Sequence, residues 1–429
     1  MKCKFASFCF VIVGLFAASA RAEGFIAGAD MSHLAYFESR GIGYREDGVS
    51  RDALHILTNR GLNCVRLRLF TSSAAQAAAN PYNYINNLDY AVPLAVRVKN
   101  AGLKFLLDFH YSDSWADPGK QTKPAAWTNW NFTQLTTQLQ EYSSNAIMAF
   151  KAAGAMPDYV QIGNEISQGL LWNDGKVSGN TNTSWSNLGQ LLKAAINGVT
   201  SAAGTNLPQI IIHTDRGGYW SDAKWYFDNL AHQQVPFDII ALSYYPFWHG
   251  PLANLSNCLS NAAARYGKPV LLVETDFPWN NSTDIYGIPA STNGQVQYVT
   301  ELAKIVKSLP GKRGAGIVWW GTEYQPVSGA NQAGFGNRSF FDSSGNVLPV
   351  ADAFGQLVAP VRMSGVLTNG SLNISWPLSG AGLALTSSTS VTATAWPNVT
   401  NAIQNTGAIF NVTLPVNSNQ NQFYRLKSD

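Results

Sequence analysis

From residue 24 to about 358 the chain repeats one unit: a short apolar run, a loop, a helical pattern, then the next apolar run. The runs are FIAGAD (25–30), CVRLRLF (64–70), KFLLDFH (104–110), YVQIGNE (159–165), IIIHTD (210–215), FDIIALSYY (237–245), PVLLVETD (269–276) and GIVWWG (316–321). Helical periodicity fills the gaps, as in NLGQLLKAAINGV (187–199) and GQVQYVTELAKIVKSL (294–309). The runs are continuously apolar, which suits a parallel sheet buried on both faces. Eight β/α units in about 335 residues fit a (β/α)8 TIM barrel. A doubly wound open sheet is the alternative. No glycine-rich nucleotide fingerprint follows the first run, which argues against it. Pro93 interrupts the second helical pattern and predicts a kink or a late start.

Beyond residue 360 the helical periodicity stops. Ser, Thr, Asn and Gly dominate, with short alternating segments such as SLNISWP (371–377), SVTATAW (390–396) and AIFNVTLP (408–415). These predict a small antiparallel β accessory domain over 360–429, after a barrel over 23–358. Sugar binding, attachment and simple protection all remain open as its role. At the other end, Lys2 and Lys4 precede an apolar run from Phe8 to Ala18, and Ala20-Arg21-Ala22 has a small-x-small form. Residues 1–22 therefore read as a signal peptide cleaved near Ala22, which predicts a secreted or periplasmic protein. No stretch is long enough to span a membrane in the mature chain. Removing Lys2, Lys4 and Arg21 takes the formal net charge from +3 to zero, so nothing electrostatic favours nucleic acid. Cys64 and Cys258 then remain, as one disulfide or as two separate buried thiols.

Nearly every apolar run ends in a polar or aromatic residue: Asp30, Arg68, His110, Glu165, Asp215, Tyr245, Glu274, Trp320. In a barrel these ends converge on the C-terminal face, where active sites sit. Glu165 ends the fourth run and Glu274 the seventh. Two carboxylates flanking one bond are what glycoside hydrolysis needs, one as proton donor and one as nucleophile or base. Their environments must differ, because one starts protonated and the other ionised. With 13 Trp and 12% aromatic residues, the chain also has rings on which a sugar face can stack.

Several segments together resemble the family 53 glycoside hydrolases, the endo-β-1,4-galactanases of clan A. They are GADMSHL (28–34), VRLRLF (65–70), LLDFHYSDSWADPGKQTKPAAW (106–127), VQIGNEISQGLLW (160–172), IIHTDRG (211–217), SYYPFW (243–248) and VETDFPW (273–279). The long third segment is the most specific, whereas Asn-Glu alone marks only the clan. The resemblance runs from about residue 26 to 350.

The resemblance implies a retaining mechanism, with Glu165 as acid/base, Glu274 as nucleophile and the carboxyls roughly 5–5.5 Å apart. It implies that Asn164 bonds the sugar 2-hydroxyl and that Arg66 lies beside Glu274, keeping it ionised. Arg68 shares a strand face with Arg66 and is a second candidate for the mouth. Tyr245 is implied to touch the nucleophile or the ring oxygen, with Tyr244 as its rival. His110 and His213 match histidines near the cleavage subsite. Trp320 is the implied stacking platform, extended by Trp115 and Trp248, while Trp319 is expected in the core. Asp30 and Asp113 are expected to bond sugar hydroxyls.

The segment after the eighth run, WWGTEYQPVSGANQAG (319–334), departs from the family's pattern. Bacterial members hold calcium near this region, and no complete ligand set is visible here. The chemistry itself requires no metal or cofactor. The expected activity is endo-hydrolysis of the β-1,4-galactan side chains of pectin by a monomer, with the polysaccharide as its partner. A β-mannanase or cellulase on the same scaffold, or a non-catalytic carbohydrate-binding protein, are the rival readings. The intact set of Arg66, Asn164, Glu165 and Glu274 argues against the last.

Overall fold

The computed structural model describes residues 24–179, 182–328, 330, 335–406, 408–416 and 420–428. The leader expected over 1–22 lies outside the described residues.

Eight strands form one closed parallel barrel: β1 (Ile26–Asp30), β2 (Cys64–Leu69), β3 (Lys104–Phe109), β4 (Tyr159–Ile162), β5 (Gln209–Thr214), β6 (Ile239–Ser243), β7 (Val270–Thr275) and β8 (Gly314–Trp319). Neighbours in sequence are neighbours in the sheet, and β1 closes the ring by pairing with both β2 and β8. The expected (β/α)8 architecture is the one present, and the eight strands coincide with the eight apolar runs.

Period-two alternation explains why the runs look apolar throughout. Val65, Leu67, Leu69, Phe105, Leu107, Phe109, Val160 and Ile162 point outward into the shell of helices. Each such fully buried side chain is worth about 1.5–3 kcal/mol over exposure. The inward positions divide by height. Low in the barrel, Ile26, Cys64, Leu106, Tyr159, Ile211, Ala241, Leu271 and Val318 form a second, enclosed apolar cluster. One step up, the inward residues turn polar: Arg66 follows Cys64, Asp108 follows Leu106, Gln161 follows Tyr159, His213 follows Ile211 and Ser243 follows Ala241. The dry lower layer is the floor on which the polar layer stands.

The helix Leu88–Asn100 begins before Pro93 and continues through it, correcting the expected late start. Asn87 caps it by accepting from the Tyr90 N–H, and the proline forfeits only the bond to the Asp89 carbonyl one turn back. Cys64 and Cys258 are both buried and free, so the disulfide alternative falls and the two-thiol one stands.

After the helix Val350–Gln356, six further strands form the C-terminal sheets: β9 (Ser364–Thr368), β10 (Ser371–Pro377), β11 (Leu383–Ser388), β12 (Gln404–Thr406), β13 (Ile409–Pro415) and β14 (Phe423–Ser428). One sheet has the order β9-β10-β13-β12 and the other pairs β11 with β14, all antiparallel. Trp376, Leu378, Leu385, Phe410 and Val412 are buried here and join the apolar cluster that surrounds the barrel. The turn at Leu378–Gly382 is the bridge, with Gly382 lying against Lys307 and Ser308.

Candidate active site

The site is organised around Arg66, whose side chain is fully buried at the centre of the polar layer. A guanidinium has five N–H donors, and here each meets an acceptor. Nη1 reaches Asp30 Oδ2 at 2.9 Å and Glu274 Oε1 at 2.8 Å. Nη2 reaches Asp108 Oδ2 and Asn164 Oδ1, both at 2.8 Å. Nε donates to Gln161 Oε1 at 3.3 Å. Burial opposes the charge on Arg66, but Asp108, Glu274 and Asp30 outweigh it and hold it protonated. The partners come from β1, β3, β4 and β7 and the turn after β4, so one side chain ties half the barrel mouth together.

Glu274 reaches this centre through a break in the strand. Leu272 points out and Val273 in, so strict alternation would aim Glu274 away from the mouth. Between β6 and β7 the register runs Leu242 to Leu272, then Ser243 to Glu274, which inserts one extra residue. That β-bulge turns the carboxylate back toward Arg66. Tyr245 donates its hydroxyl to Glu274 Oε2 at 3.0 Å. Its rival Tyr244 instead donates to the Gly250 carbonyl, away from the mouth.

Glu165 is held differently. The chain leaves β4 through Gly163 at φ +84° and Glu165 at φ +48°, both in the left-handed region. A Cβ on Gly163 would also sit 2.7 Å from Ile166, so only glycine fits there. The turn is braced by the long loop after β3. Asn164 Nδ2 donates to the Ala116 carbonyl and Gln121 Nε2 to the Asn164 carbonyl, both at 2.8 Å. Ser243 Oγ donates to Glu165 Oε1 at 2.6 Å. His213 Nε2 lies 2.8 Å from Ser243 Oγ, and its Nδ1 accepts the Glu165 N–H at 3.3 Å. With Nδ1 accepting, Nε2 carries the proton and donates to the serine.

The two carboxyls therefore differ. Burial, then the charges of Glu274 and Asp215, push Glu165 well above the ordinary carboxylate range. Burial also raises Glu274, against Arg66, and Arg66 does not bring it back to the ordinary value as the sequence suggests. Arg66 faces Glu274 directly at 2.8 Å, whereas Glu165 meets the charges of Glu274 and Asp215, so a proton shared by the pair resides on Glu165. Tyr245 is pushed up by burial and Glu274, and stays a donor.

The remaining expected residues separate into two groups. Trp115 and Trp320 stand together with ring centres 6.3 Å apart. Arg68 underlies both, 4.3 Å from the Trp115 ring and 5.5 Å from Trp320. Trp248 is 57% exposed and packs edge-on to Tyr245, at the rim. Trp319 is fully buried, as expected of a core residue. By contrast, Asp30, Asp113, His110 and His213 have their polar atoms occupied by protein. Asp30 is completely buried and accepts from Ser32 and Arg66, and the two arginines hold its carboxyl low despite burial. Asp113 accepts from Thr71, Gln76 and the Ala125 N–H, fastening its own loop. His110 accepts from the Ala116 N–H, and its Nε2 lies 3.0 Å from Asp108. Through these bonds the four residues brace the acids and loops around the mouth.

Sequence reasoning missed Asp108, Gln161 and Ser243. Each is a polar residue inside an apolar run, two positions after an inward apolar residue (Leu106, Tyr159 and Ala241), and that spacing places it on the inward face. Part of the segment after β8 (329 and 331–334) lies outside the described residues, so the calcium region is only partly seen. Among the described residues no group of three or more His, Cys, Asp or Glu is arranged to hold a metal ion. No helix among them is long and apolar enough to cross a membrane.

Residues 26–354 match the family model described as Glycosyl hydrolase family 53. The chain belongs to this family. An uncharacterised protein of Niallia circulans is 38% identical over 347 residues, covering 76% of this chain and 92% of that one. The arabinogalactan endo-beta-1,4-galactanase of Humicola insolens is 34% identical over 342 residues, covering 76% of this chain and 98% of its own length. Among solved structures, the Ignisphaera aggregans GH53 catalytic domain superposes with a TM-score of 0.71 at 34% identity, covering 77% of this chain and 95% of that one. As a family 53 member the protein is a glycoside hydrolase, and the matched region ends within the helix Val350–Gln356, before the C-terminal sheets.

Proposed function

We propose that the chain is a secreted endo-β-1,4-galactanase that cuts the galactan side chains of pectin with retention of anomeric configuration. The observation that carries this reading is the asymmetry of the two carboxyls. Glu165 has a hydroxyl donor and the higher proton affinity, whereas Glu274 has Arg66 and Tyr245 against its two oxygens. Glu165 protonates the glycosidic oxygen as the bond to the leaving sugar breaks. Glu274 attacks the anomeric carbon and forms a glycosyl–enzyme ester. Water, deprotonated by Glu165, then releases the sugar. Each Glu274 oxygen keeps one protein donor, which steadies the carboxylate before attack and after release. The second N–H of the Asn164 amide serves the 2-hydroxyl, and Trp115 and Trp320 supply the stacking face. The route draws on no metal or cofactor, and the enzyme acts as a monomer. The leader pattern at 1–22 supports export, with cleavage near Ala22.

Reducing-end release from linear β-1,4-galactan, beside β-mannan and soluble cellulose, tests the substrate, and NMR of the first-formed anomer tests retention. A ladder of short β-anomers from galactan alone is expected. Release from mannan or cellulose instead would overturn the galactanase assignment, and a first-formed α-anomer would overturn retention.

A further inference from the structure

A cavity of about 270 Å³ opens between the loops that follow β4 and β5, lined by Ser167, Gln168, Ser178, Arg216, Asp222 and Trp225. Around the ring, β4 and β5 lie opposite β8 and β1, so this cavity is across the mouth from Trp320. It adjoins the proton donor. Ser167 follows Glu165 by two residues and donates to Asp215, the strand-end acid whose charge helps hold the proton on Glu165. Arg216 links the two parts, with Nε 3.2 Å from Asp215 and Nη1 3.6 Å from Asp222 at the rim.

The lining selects a neutral, hydroxyl-rich ligand. Asp215 and Asp222 flank the one guanidinium, so a phosphate or carboxylate finds no net positive charge. Both acids are tied to Arg216, so a cation finds no free carboxylate pair. What remains is exposed amide and hydroxyl groups on Gln168 and Ser178, facing an indole wall. Trp225 is half-buried and is propped edge-on by Trp185 at 5.2 Å. Hydrogen-bonding side chains beside an aromatic wall, in a space of one or two sugar rings, suit a pyranose.

We propose that this cavity is a leaving-group subsite, holding a galactosyl unit on the reducing-end side of the bond that is cut. This rests on the galactanase reading above. A chain stacked on Trp115 and Trp320 crosses Glu274 and Glu165 and continues between the β4 and β5 loops. Gln168 and Ser178 bond its hydroxyls and Trp225 takes its C–H-rich face. The glycosidic oxygen is then presented to Glu165 from a fixed direction, which makes the position of the cut depend on this cavity.

The test uses β-1,4-galactohexaose labelled with 18O at its reducing end, with the full chain and the Gln168→Ala and Ser178→Tyr variants, both at exposed positions. Mass spectrometry gives the ratio of labelled products by length. This ratio is internal to each reaction, so a partly folded variant still reports it. The expected result is a shift toward shorter labelled products by about fivefold, as a subsite loses a contact or its space. An unchanged ratio, or a shift toward longer labelled products, overturns the subsite. If the parent chain releases nothing from the hexaose, the galactanase reading itself fails and the subsite with it.

Discussion

Ser243 donates its hydroxyl to Glu165 at 2.6 Å, and in the sheet the same residue stands in register with Glu274. One serine thus orients the proton donor from a position fixed against the nucleophile's strand. Removing that hydroxyl separates the two functions of the pair.

Ser243→Ala is expected to lower kcat on galactan by about tenfold, the worth of one hydrogen bond to a charged or reacting group. The hydroxyl stabilises the ionised form of Glu165, so its loss raises the pKa of that carboxyl further. The basic limb of the kcat/KM profile, where Glu165 loses its proton, should move to higher pH. A profile that stays in place or moves down would remove Ser243 from this role.

Glu274→Ala should abolish turnover by several orders of magnitude while galactan binding is largely kept, because a nucleophile acts in chemistry more than in ground-state affinity. Calorimetric titration with galactotriose beside a rate assay measures both. Near-normal turnover would exclude Glu274 as nucleophile.

Arg66→Met leaves Asp30, Asp108 and Glu274 buried around an absent charge. A loss of about 3–5 kcal/mol in unfolding free energy is expected, as for removal of one partner from a buried ion pair. Urea denaturation measures it, and a loss below about 1 kcal/mol would show that the three acids find other partners.

Glu323 makes stability fall with rising pH. It is fully buried, accepts the His33 N–H, and burial with the charge of Asp30 pushes its carboxyl up to about 8, against Arg68. The folded state therefore keeps a proton that the unfolded chain gives up above the ordinary carboxylate pKa of about 4. The native state binds the extra proton, so its stability declines from about pH 4 up to about pH 8. Glu323→Gln should flatten that decline in thermal unfolding measured across the range. An identical slope in both proteins would place the ionisation elsewhere.

Ending the chain at residue 358 removes the C-terminal sheets together with the apolar bridge at Leu378–Gly382. A soluble, active barrel with a lowered Tm is expected, since the matched family region ends at 354. Insoluble protein would mean that the barrel cannot stand without the apolar contacts that the sheets make to it.

The barrel was legible because its strands are buried on both faces, which leaves an apolar signature that needs no partner to interpret. Glu165 and Glu274 were legible as acids at the ends of such strands. The bulge at Glu274 was not, since an extra residue in β7 exists only relative to β6. Neither was the work of Asp108 and Gln161, polar residues inside apolar runs whose inward face depends on which neighbours close the ring. The protein partners of Asp30 and Asp113 were hidden for a related reason. A carboxylate near a mouth reads alike in sequence whether it meets a ligand or an arginine behind it.

The five partners of Arg66 also bear on synthesis. The guanidinium is made early, with Asp30 already behind it, while Glu274 emerges only after four more barrel strands have left the ribosome. Until β7 and β8 arrive and the ring shuts, an incomplete chain holds a charged side chain without its full set of acceptors and has no opposed acids. A nascent or prematurely terminated enzyme is therefore hydrolytically silent, and the onset of galactan cleavage marks the moment at which the last strands are in place.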